Sequence, residues 1–136
     1  SAGTAPASTI AGGTPSGPMR TVQVPPWSYS PPSETEGPEW VCDEAVVLTK
    51  VEVTATVAPP SDDIVVYIKV NGTMETFITL TEDTTSRSRL GSLLLLPGQR
   101  LSTSIHDVGT NTTGDLEDVR LTVQFSGAPA DLRVTK

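Results

Sequence analysis

The sequence predicts an all-β protein: an antiparallel β-sandwich, of jelly-roll or immunoglobulin-like type, with a long extended N-terminal arm. Two observations predict the sandwich. After residue 40, apolar and polar residues alternate in short segments, and turn residues separate these segments at roughly eight- to twelve-residue intervals. A third observation predicts the arm, because eight of the 12 prolines lie within the first 39 residues, where apolar side chains are few.

The composition limits the possible classes of protein. A chain of 136 residues has the length of one domain. Only 4% of its residues are aromatic, so valine, leucine and threonine have to form the interior, which favours strands. The net charge of −7 argues against binding to nucleic acid. Four consecutive leucines at 93–96 are too few to span a bilayer, so we expect no membrane association.

Residues 1–39 are predicted to form the arm, and residues 40–136 the sandwich domain. Residues 22–24 are expected to form a short extended segment. The prolines within residues 25–32 favour a polyproline-like conformation after it. At about 3.1 Å per residue, such an arm would reach on the order of 120 Å. We expect a chain without residues 1–39 to remain a folded domain.

The first strand of the domain is predicted at residues 47–57. Most of its odd-numbered residues are apolar, namely Val47, Val51, Val53, Ala55 and Val57. Polar residues such as Glu52 and Thr54 occupy the positions between them. A period of two is typical of a strand with one buried face.

A β-hairpin is the strongest local prediction. Residues 64–70 alternate in the same way, and Asn71-Gly72 follows them. These two residue types tolerate the positive φ angles of a type I′ turn. The returning strand is predicted at residues 73–81, with Met74, Ile78 and Leu80 on one face.

The remaining part of the chain predicts three strands and an edge strand. In chain order, the elements are a polar loop at 82–88, a strand at 90–96, a tight turn at 97–99, a strand at 101–105, a long loop at 106–118, a strand at 119–125 and a short edge strand at 132–134. The consecutive leucines suggest that the strand at 90–96 is buried on both faces. No helix is predicted.

Neither a catalytic site nor a metal site is predicted. His106 is the only histidine, and it precedes Asp107, but neighbouring residues of a strand point to opposite faces. Asp115, Glu117 and Asp118 offer carboxylate oxygens that calcium accepts, yet their spacing matches no recognised loop. A charged surface loop is the favoured interpretation. A single cysteine, Cys42, cannot form a structural zinc site alone. We expect no catalytic residue, no metal and no cofactor.

Tyr67 and Phe77 are the aromatic residues predicted to lie on the surface of the domain. They occupy adjacent strands of the hairpin, on the faces opposite the buried residues, whereas Phe125 shares the parity of its apolar neighbours. A contact between copies of an oligomer is the favoured interpretation. The alternative is a small platform on which a glycan stacks, together with the loop at 106–118.

The remaining aromatic residues belong to the arm or to its boundary. Trp27 and Tyr29 are favoured as anchors that enter a groove of a partner, as buried aromatic residues do at interfaces. The alternative is that they fold back on their own sandwich. An extended segment can also add a strand to the sheet of a neighbour. The predicted partner-binding residues are Val22, Val24, Trp27, Tyr29 and Trp40.

The strand and turn pattern from residue 40 to residue 125 resembles the small β-sandwich modules of tailed-bacteriophage virion proteins, both head decoration proteins and tail or fibre components. The stretches that carry the resemblance are WVCDEA at 40–45, VVYIKVNG at 65–72, LPGQRL at 96–101, IHDVG at 105–109, GDL at 114–116 and VRLTV at 119–123. These motifs are strands and turns and contain no reactive group. The arm lies outside the resemblance.

The resemblance implies a non-enzymatic virion component, assembled in the host cytoplasm and repeated many times. We therefore expect a capsid decoration or cement protein whose arm binds neighbouring subunits. Its partners would be the major capsid protein or another virion protein, and copies of itself, with a trimer favoured. The alternative is a receptor- or glycan-binding module of a phage tail or fibre.

Overall fold

The structure is a computed structural model that describes residues 22–33, 35–111, 116 and 118–129. Eight strands form in this part of the chain: β1 (Val22–Tyr29), β2 (Glu36–Val41), β3 (Val46–Ala55), β4 (Ile64–Val70), β5 (Thr73–Leu80), β6 (Ser86–Leu95), β7 (Arg100–Asp107) and β8 (Leu121–Pro129). They form a first sheet in the order β1-β8-β3-β6 and a second sheet in the order β2-β7-β4-β5. The predicted all-β sandwich is confirmed.

The strands pair in a nested order. β4 pairs with β5, β3 with β6, β2 with β7 and β1 with β8, always antiparallel. The pairs β3–β8 and β4–β7 complete the two sheets. Two four-stranded sheets in these orders are the jelly-roll arrangement. Of the two predicted types of sandwich, the structure therefore has the jelly roll.

The innermost pair is the hairpin predicted at Asn71-Gly72. The φ angles of the two residues are 53° and 84°, as a type I′ turn requires. The Asn71 side chain also accepts a hydrogen bond from the Arg100 backbone N–H at 2.9 Å, and the Asn71 N–H donates to the Arg100 carbonyl at 2.8 Å. This turn therefore joins β4 to β5 and also holds the start of β7.

Aliphatic side chains on the inner faces of both sheets form the core. Their alternation is clearest in β4, where the fully buried Ile64, Val66 and Ile68 alternate with partly exposed residues. Leu121, Val123 and Phe125 do the same in β8. Burial of side chains of this size contributes on the order of 2 kcal/mol each to folding.

The predicted boundary between arm and domain at residue 39 is wrong. β1 pairs with β8 from Val22↔Gly127 to Tyr29↔Leu121, and β2 pairs with β7. Residues 22–41 thus supply one edge strand to each sheet. The predicted arm can extend only over residues 1–21, which lie outside the described residues. A chain without residues 1–39 would lack β1 and four of the six residues of β2.

The predicted polyproline-like conformation of residues 25–32 is replaced by a β-strand up to Tyr29. Pro25 and Pro26 lie where the register of β1 shifts, between Val24↔Phe125 and Trp27↔Val123. Proline cannot donate a hydrogen bond to a neighbouring strand, and it is therefore accommodated on edge strands and at bulges. β1 provides both conditions.

An aromatic cluster fixes β1 and β2 to the core. The ring centroid of Trp27 lies 5.6 Å from that of Tyr29, 4.8 Å from that of Trp40 and 6.4 Å from that of Phe125. Gly37 on β2 allows the approach, because a Cβ atom there would overlap the Trp27 indole. Tyr29 is buried in the core, while Trp27, Trp40 and Val24 are partly buried against it. These residues fold back on their own sandwich, and the preference for an anchor in a partner is corrected for Trp27 and Tyr29.

In two strands, a bulge reverses the predicted direction of some side chains. In β3 the register shifts between Leu48 and Lys50, so Leu48 is buried and Val47 is partly exposed, contrary to the predicted run of odd-numbered residues. In β5, Ile68 pairs with Thr76 and Lys69 pairs with Met74. The extra residue between them turns Met74 away from the core side, where Ile78 lies.

The strand β6 is not buried on both faces as predicted. It begins earlier, at Ser86, and it is the last strand of the first sheet. Of its leucines only Leu95 is fully buried, while Leu90 is 76% exposed. An edge strand has a neighbour on one side only, which explains why consecutive apolar residues do not imply burial here.

Asn111 holds the start of the long loop after β7. Its side chain accepts hydrogen bonds from the Ser61 N–H and hydroxyl at 3.0 and 2.8 Å. It donates to the carbonyls of Asp62 and Val108 at 3.0 and 2.6 Å. Two loops are thereby joined at one end of the sandwich. Leu132 and Val134, predicted as an edge strand, lie outside the described residues.

We predict that Gly127→Ala destabilises the sandwich by about 2 kcal/mol, the usual scale of overpacking. A Cβ atom at Gly127 would lie 2.5 Å from the carbonyl oxygen of Val47, which belongs to the backbone and cannot rotate away. Gly91→Ala is the matched control, because no atom lies within 4 Å of its Cβ position. Urea denaturation measures both. Equal stability of the two variants would contradict the packing of β8 on β3.

We also predict that Tyr29 makes the stability fall at high pH. Burial raises the pKa of the Tyr29 phenol well above its ordinary value of 10.0, and the Glu36 carboxylate raises it further. The contribution of the buried neutral phenol is complete below pH 10 and is lost as the pH rises above it, because only the unfolded phenol ionises there.

Denaturation curves recorded from about pH 8 to pH 11 test this dependence. The free energy of unfolding of the wild type should fall more steeply above pH 10 than that of Tyr29→Phe. At pH 7 the variant should be no less stable, because the Tyr29 hydroxyl is buried without a hydrogen-bond partner among the described residues. Parallel curves for the two proteins would show that Tyr29 is not buried.

Candidate functional site

Exposed apolar side chains are concentrated along one edge of the sandwich, on the outer faces of the neighbouring edge strands β5 and β6. In the described part of the chain, six large apolar side chains are exposed, and four of them lie on β5 and β6. These four are Met74 and Phe77, each 42% exposed, Leu90 at 76% and Leu94 at 36%. β5 and β6 are the last strands of their sheets and contact each other. We call this side, formed by β5 and β6, the open side.

Arg89 bridges the two strands of the open side. Its Nη1 donates a hydrogen bond to the Phe77 carbonyl at 3.0 Å. Its guanidinium carbon also lies 5.6 Å from the centre of the Phe77 ring, within the range of a cation–π contact. The direction of the Arg89 side chain follows from its pairing with Val51. Residues paired on neighbouring strands point to the same face of the sheet, and the buried Val51 points towards the other sheet, so Arg89 does too.

A groove of about 320 Å³ runs between β5 and β6. Leu48, Val51 and Leu93 are among its apolar lining residues, and Glu75 and Arg89 are the charged ones on the two edge strands. Bulges produce its shape. Thr49 lies opposite two residues of β6, Gly91 and Ser92, and Glu75 is the extra residue of β5. Bulges are frequent at sheet edges next to functional sites.

Three rings form a band on the outer face of the second sheet. Phe77 and Tyr67 are directly opposite each other on β5 and β4. The His106 ring stacks on Tyr67, with centroids 4.2 Å apart and an interplanar angle of 9°. Val65 pairs with Asp107 and Val66 with Ile105, so His106 is the extra residue of a bulge. Tyr67 and Phe77 are the predicted surface residues. His106 was predicted only as part of the loop at 106–118, because its place beside Tyr67 depends on the pairing of β7 with β4.

The other predicted partner-binding residues do not form a common surface. Val22 pairs with Gly127 at the start of β1. The other four predicted residues belong to the core or pack against it, namely Tyr29, Val24, Trp27 and Trp40. Tyr29 is not accessible to a partner. Any partner-binding role of an arm is therefore limited to residues 1–21.

The acidic loop residues do not gather into a metal site in the described part of the chain. The Asp107 carboxylate accepts a hydrogen bond from the Gly109 N–H at 2.8 Å, and Asp63 accepts one from the Glu82 N–H at 3.2 Å. Both therefore stabilise turns. Asp115 and Glu117 lie outside the described residues.

Cys42 lines a second, more apolar cavity of about 230 Å³, together with Val24, Trp40 and Leu95. Burial raises the pKa of its thiol, and the Asp43 carboxylate raises it further. Because the thiolate is the nucleophilic form, a raised pKa makes Cys42 a poor nucleophile at neutral pH. This cavity offers packing space and no reactive group.

The sequence matches no model of a protein family and no curated protein. Among solved structures, the chain is similar to a chain of the acid-stable capsid of Helicobacter pylori bacteriophage KHP30, with 9% identity and a TM-score of 0.45. That alignment covers 81% of this chain and 92% of the capsid chain.

Two further solved structures are similar to this chain. The coat protein dimer of Tobacco streak virus has 14% identity and a TM-score of 0.38, over 87% of this chain and 88% of that one. The Podospora anserina GH26-CBM35 β-(1,4)-mannanase has 10% identity and a TM-score of 0.38, over 77% of this chain and 27% of that one. TM-scores below 0.5 at such identities do not show a shared function. Within the described residues, no helix is long and apolar enough to span a membrane.

We predict that the exposed leucines of the open side contribute little to folding. Leu90→Ala should change the free energy of unfolding of the monomer, measured at protein concentrations too low for association, by less than about 0.5 kcal/mol, because the side chain is 76% exposed. Leu95→Ala, in the same strand, should cost about 2–5 kcal/mol, because Leu95 is only 1% exposed. Thermal or urea denaturation compares them directly. A loss at Leu90 as large as that at Leu95 would show that the open side is covered within the monomer.

Proposed function

We propose that this protein is a non-enzymatic structural component of a virus particle, and that it decorates or cements a phage capsid. The observation that carries the proposal is the open side, where most of the exposed large apolar side chains of the described residues lie on two edge strands. Phenylalanine, methionine and arginine are enriched at protein interfaces, and this surface presents all three. A rigid sandwich that exposes such a surface is suited to assembly.

The fold supports the proposal by analogy. Jelly rolls recur in viral capsid domains and in lectin domains, so the strand order is compatible both with a capsid component and with a glycan-binding protein. The resemblance of the strand and turn motifs to phage virion modules favours the particle. In this proposal, the partners are the major capsid protein or another virion protein, together with copies of this chain.

Residues 1–21 act as the arm in this proposal. They contain three prolines and mainly small residues, and they precede β1 at the edge of the first sheet. At about 3.1 Å per residue, an extended segment of this length reaches roughly 65 Å. That reach is sufficient to contact a neighbouring subunit. Repetition on a symmetric shell would strengthen a weak contact of this kind through multivalency.

A binding experiment with two truncations tests the role in the particle. Purified virions of the virus that encodes this chain should contain it in many copies by mass spectrometry. Particles stripped of it should bind the full chain again. A chain without residues 1–21 should unfold at the same temperature as the full chain, because all eight strands remain, but should bind particles at least about tenfold more weakly.

Removal of residues 1–39 is the contrasting truncation. It should abolish cooperative unfolding, since it removes β1, four of the six residues of β2 and the Trp27 and Tyr29 rings that pack in and against the core. Absence of the chain from purified virions would overturn the proposed function. Unchanged binding by the chain without residues 1–21 would overturn the arm but not the role in the particle.

Glycan binding is the second candidate, and the ring band of Phe77, Tyr67 and His106 favours it. Sugar rings stack on exposed aromatic faces, and this band spans three adjacent strands. A glycan array with the full chain distinguishes the candidates. Saturable binding that is lost in Tyr67→Ala would favour a receptor-binding role.

A further inference from the structure

The free edge of β6 is able to accept another strand. β6 has ten residues without proline, and among the described strands β3 is its only neighbour in the sheet. A strand at the edge of a sheet presents unpaired N–H and C=O groups, which can pair with another chain. Next to this edge, Leu90 is the most exposed large apolar side chain of the described residues. Pairing along β6 would cover it.

Two arginines limit which strand β6 can accept. Arg87 pairs with Val53 and Arg89 pairs with Val51, so both side chains lie on the inner face, near the position of an incoming strand. Inward-pointing charges of this kind hinder pairing with an arbitrary strand. A suitable partner therefore has to offer a carboxylate to these arginines and place no cation opposite them.

Glu75 provides such a carboxylate on the same side of the sandwich. It is exposed, it is the bulge residue of β5, and it lines the groove together with Leu93. The ion pairs of the described residues join Lys69 to Glu36 and Arg100 to Glu39, so neither Arg87 nor Glu75 is engaged in one.

The distance between the sheets is within reach of an arginine. Sheets that pack face to face lie about 10 Å apart. Arg89 already crosses this gap from β6 to the Phe77 carbonyl on β5, with a hydrogen bond of 3.0 Å. An arginine placed beside Leu93 by an added strand would reach Glu75 in the same way.

We propose that two copies of this chain associate through their β6 strands, antiparallel, about a two-fold axis at Leu90. The two first sheets then join into one sheet of eight strands. Arg87 of each copy lies opposite Leu93 of the other copy and forms an ion pair with the Glu75 of that copy. Arg89 lies opposite Gly91, whose missing side chain leaves room for the guanidinium.

Two conditions select this register. Residues that oppose each other across a continuous sheet must point to the same face, so the strand can shift only in steps of two residues. Arginine must also not face arginine, which excludes axes at residues 87, 88 and 89. Of the remaining registers, the axis at Leu90 places this exposed side chain against its own copy and buries it best.

This inference deepens the proposed function, because it names a second copy as the partner of the open side. Its test is independent of the particle. A dimer in solution can exist without any virion, and a virion protein can be monomeric in solution. The failure of one proposal is therefore distinguishable from the failure of the other.

Charge exchange in the full chain tests the ion pair. Sedimentation equilibrium should show a dimer for the wild type at micromolar concentration. Arg87→Glu and Glu75→Arg should each raise the dimer dissociation constant by at least about tenfold, because like charges then face each other. The double variant should return to within about threefold of the wild type, since the pair is restored with reversed sign. Arg120→Glu is the control and should have no effect, because Arg120 is exposed and directly precedes β8, away from β6.

Three results would overturn the inference. They are a monomeric wild type at about 100 μM, equal dissociation constants for the double variant and the single variants, and a trimer, since a two-fold contact cannot generate one. The trimer is the state that the resemblance to phage virion modules favours. Each of these results can be obtained with folded protein, because the exchanged residues are exposed.

Cross-linking tests the position of the axis. In a Cys42→Ala background, Leu90→Cys should form an intermolecular disulfide on mild oxidation, because residues opposite each other have Cβ atoms about 5 Å apart. Ser88→Cys is the control and should not cross-link, since its opposite residue is Ser92 and the two Ser88 positions lie several residues apart. Cross-linking of Ser88→Cys without that of Leu90→Cys would overturn the proposed register.

Discussion

The nested antiparallel pairing of the eight strands is the constraint on which the rest of the structure depends. The Asn71-Gly72 turn sets the register of β4 and β5, and each surrounding pair joins strands farther apart in the sequence. The outermost pair unites the first and last strands, and the cluster of Trp27, Trp40 and Phe125 fills the core beside it. Residues 22–41 are therefore as necessary to the sandwich as its centre, although their composition is that of a linker.

Local features of the sequence were predictable, and features that arise from pairing with a distant strand were not. The hairpin at residues 64–80 follows from alternation and from two residues that accept positive φ. The bulges at Thr49, Glu75 and His106 depend on how these strands pair with their neighbours. The first two bulges reverse the predicted faces of Leu48 and Met74, and the third adds the His106 ring to the outer face of the second sheet. The strand β1 escaped prediction because its partner lies about a hundred positions later and its prolines mimic an extended arm.

The open side was only partly predictable for the same reason. Phe77 could be placed on the surface from its parity, but the exposure of Leu90 and Leu94 depends on β6 being the last strand of its sheet. The start of β6 is polar on both faces, with Ser86, Arg87, Ser88 and Arg89. A strand that is polar on both faces indicates the edge of a sheet. A surface that combines apolar side chains with inward arginines is selective, since it attracts only a partner of suitable charge. The net charge of −7 adds a general repulsion that opposes unspecific association.

The pairing of β1 with β8 also has a consequence for the order of events during synthesis. Of the eight described strands, β1 is the first to leave the ribosome, and β8, with which it pairs, is the last. Until residue 129 has been made, Trp27 and Tyr29 have no completed core to enter, and the edge of β3 that β8 later occupies stays free. Pairings of such long separation form slowly and leave strand edges exposed meanwhile. The two prolines of β1 therefore lie in the strand that stays unpaired longest during synthesis. Because proline has no N–H donor, they reduce the pairing of this strand with other chains.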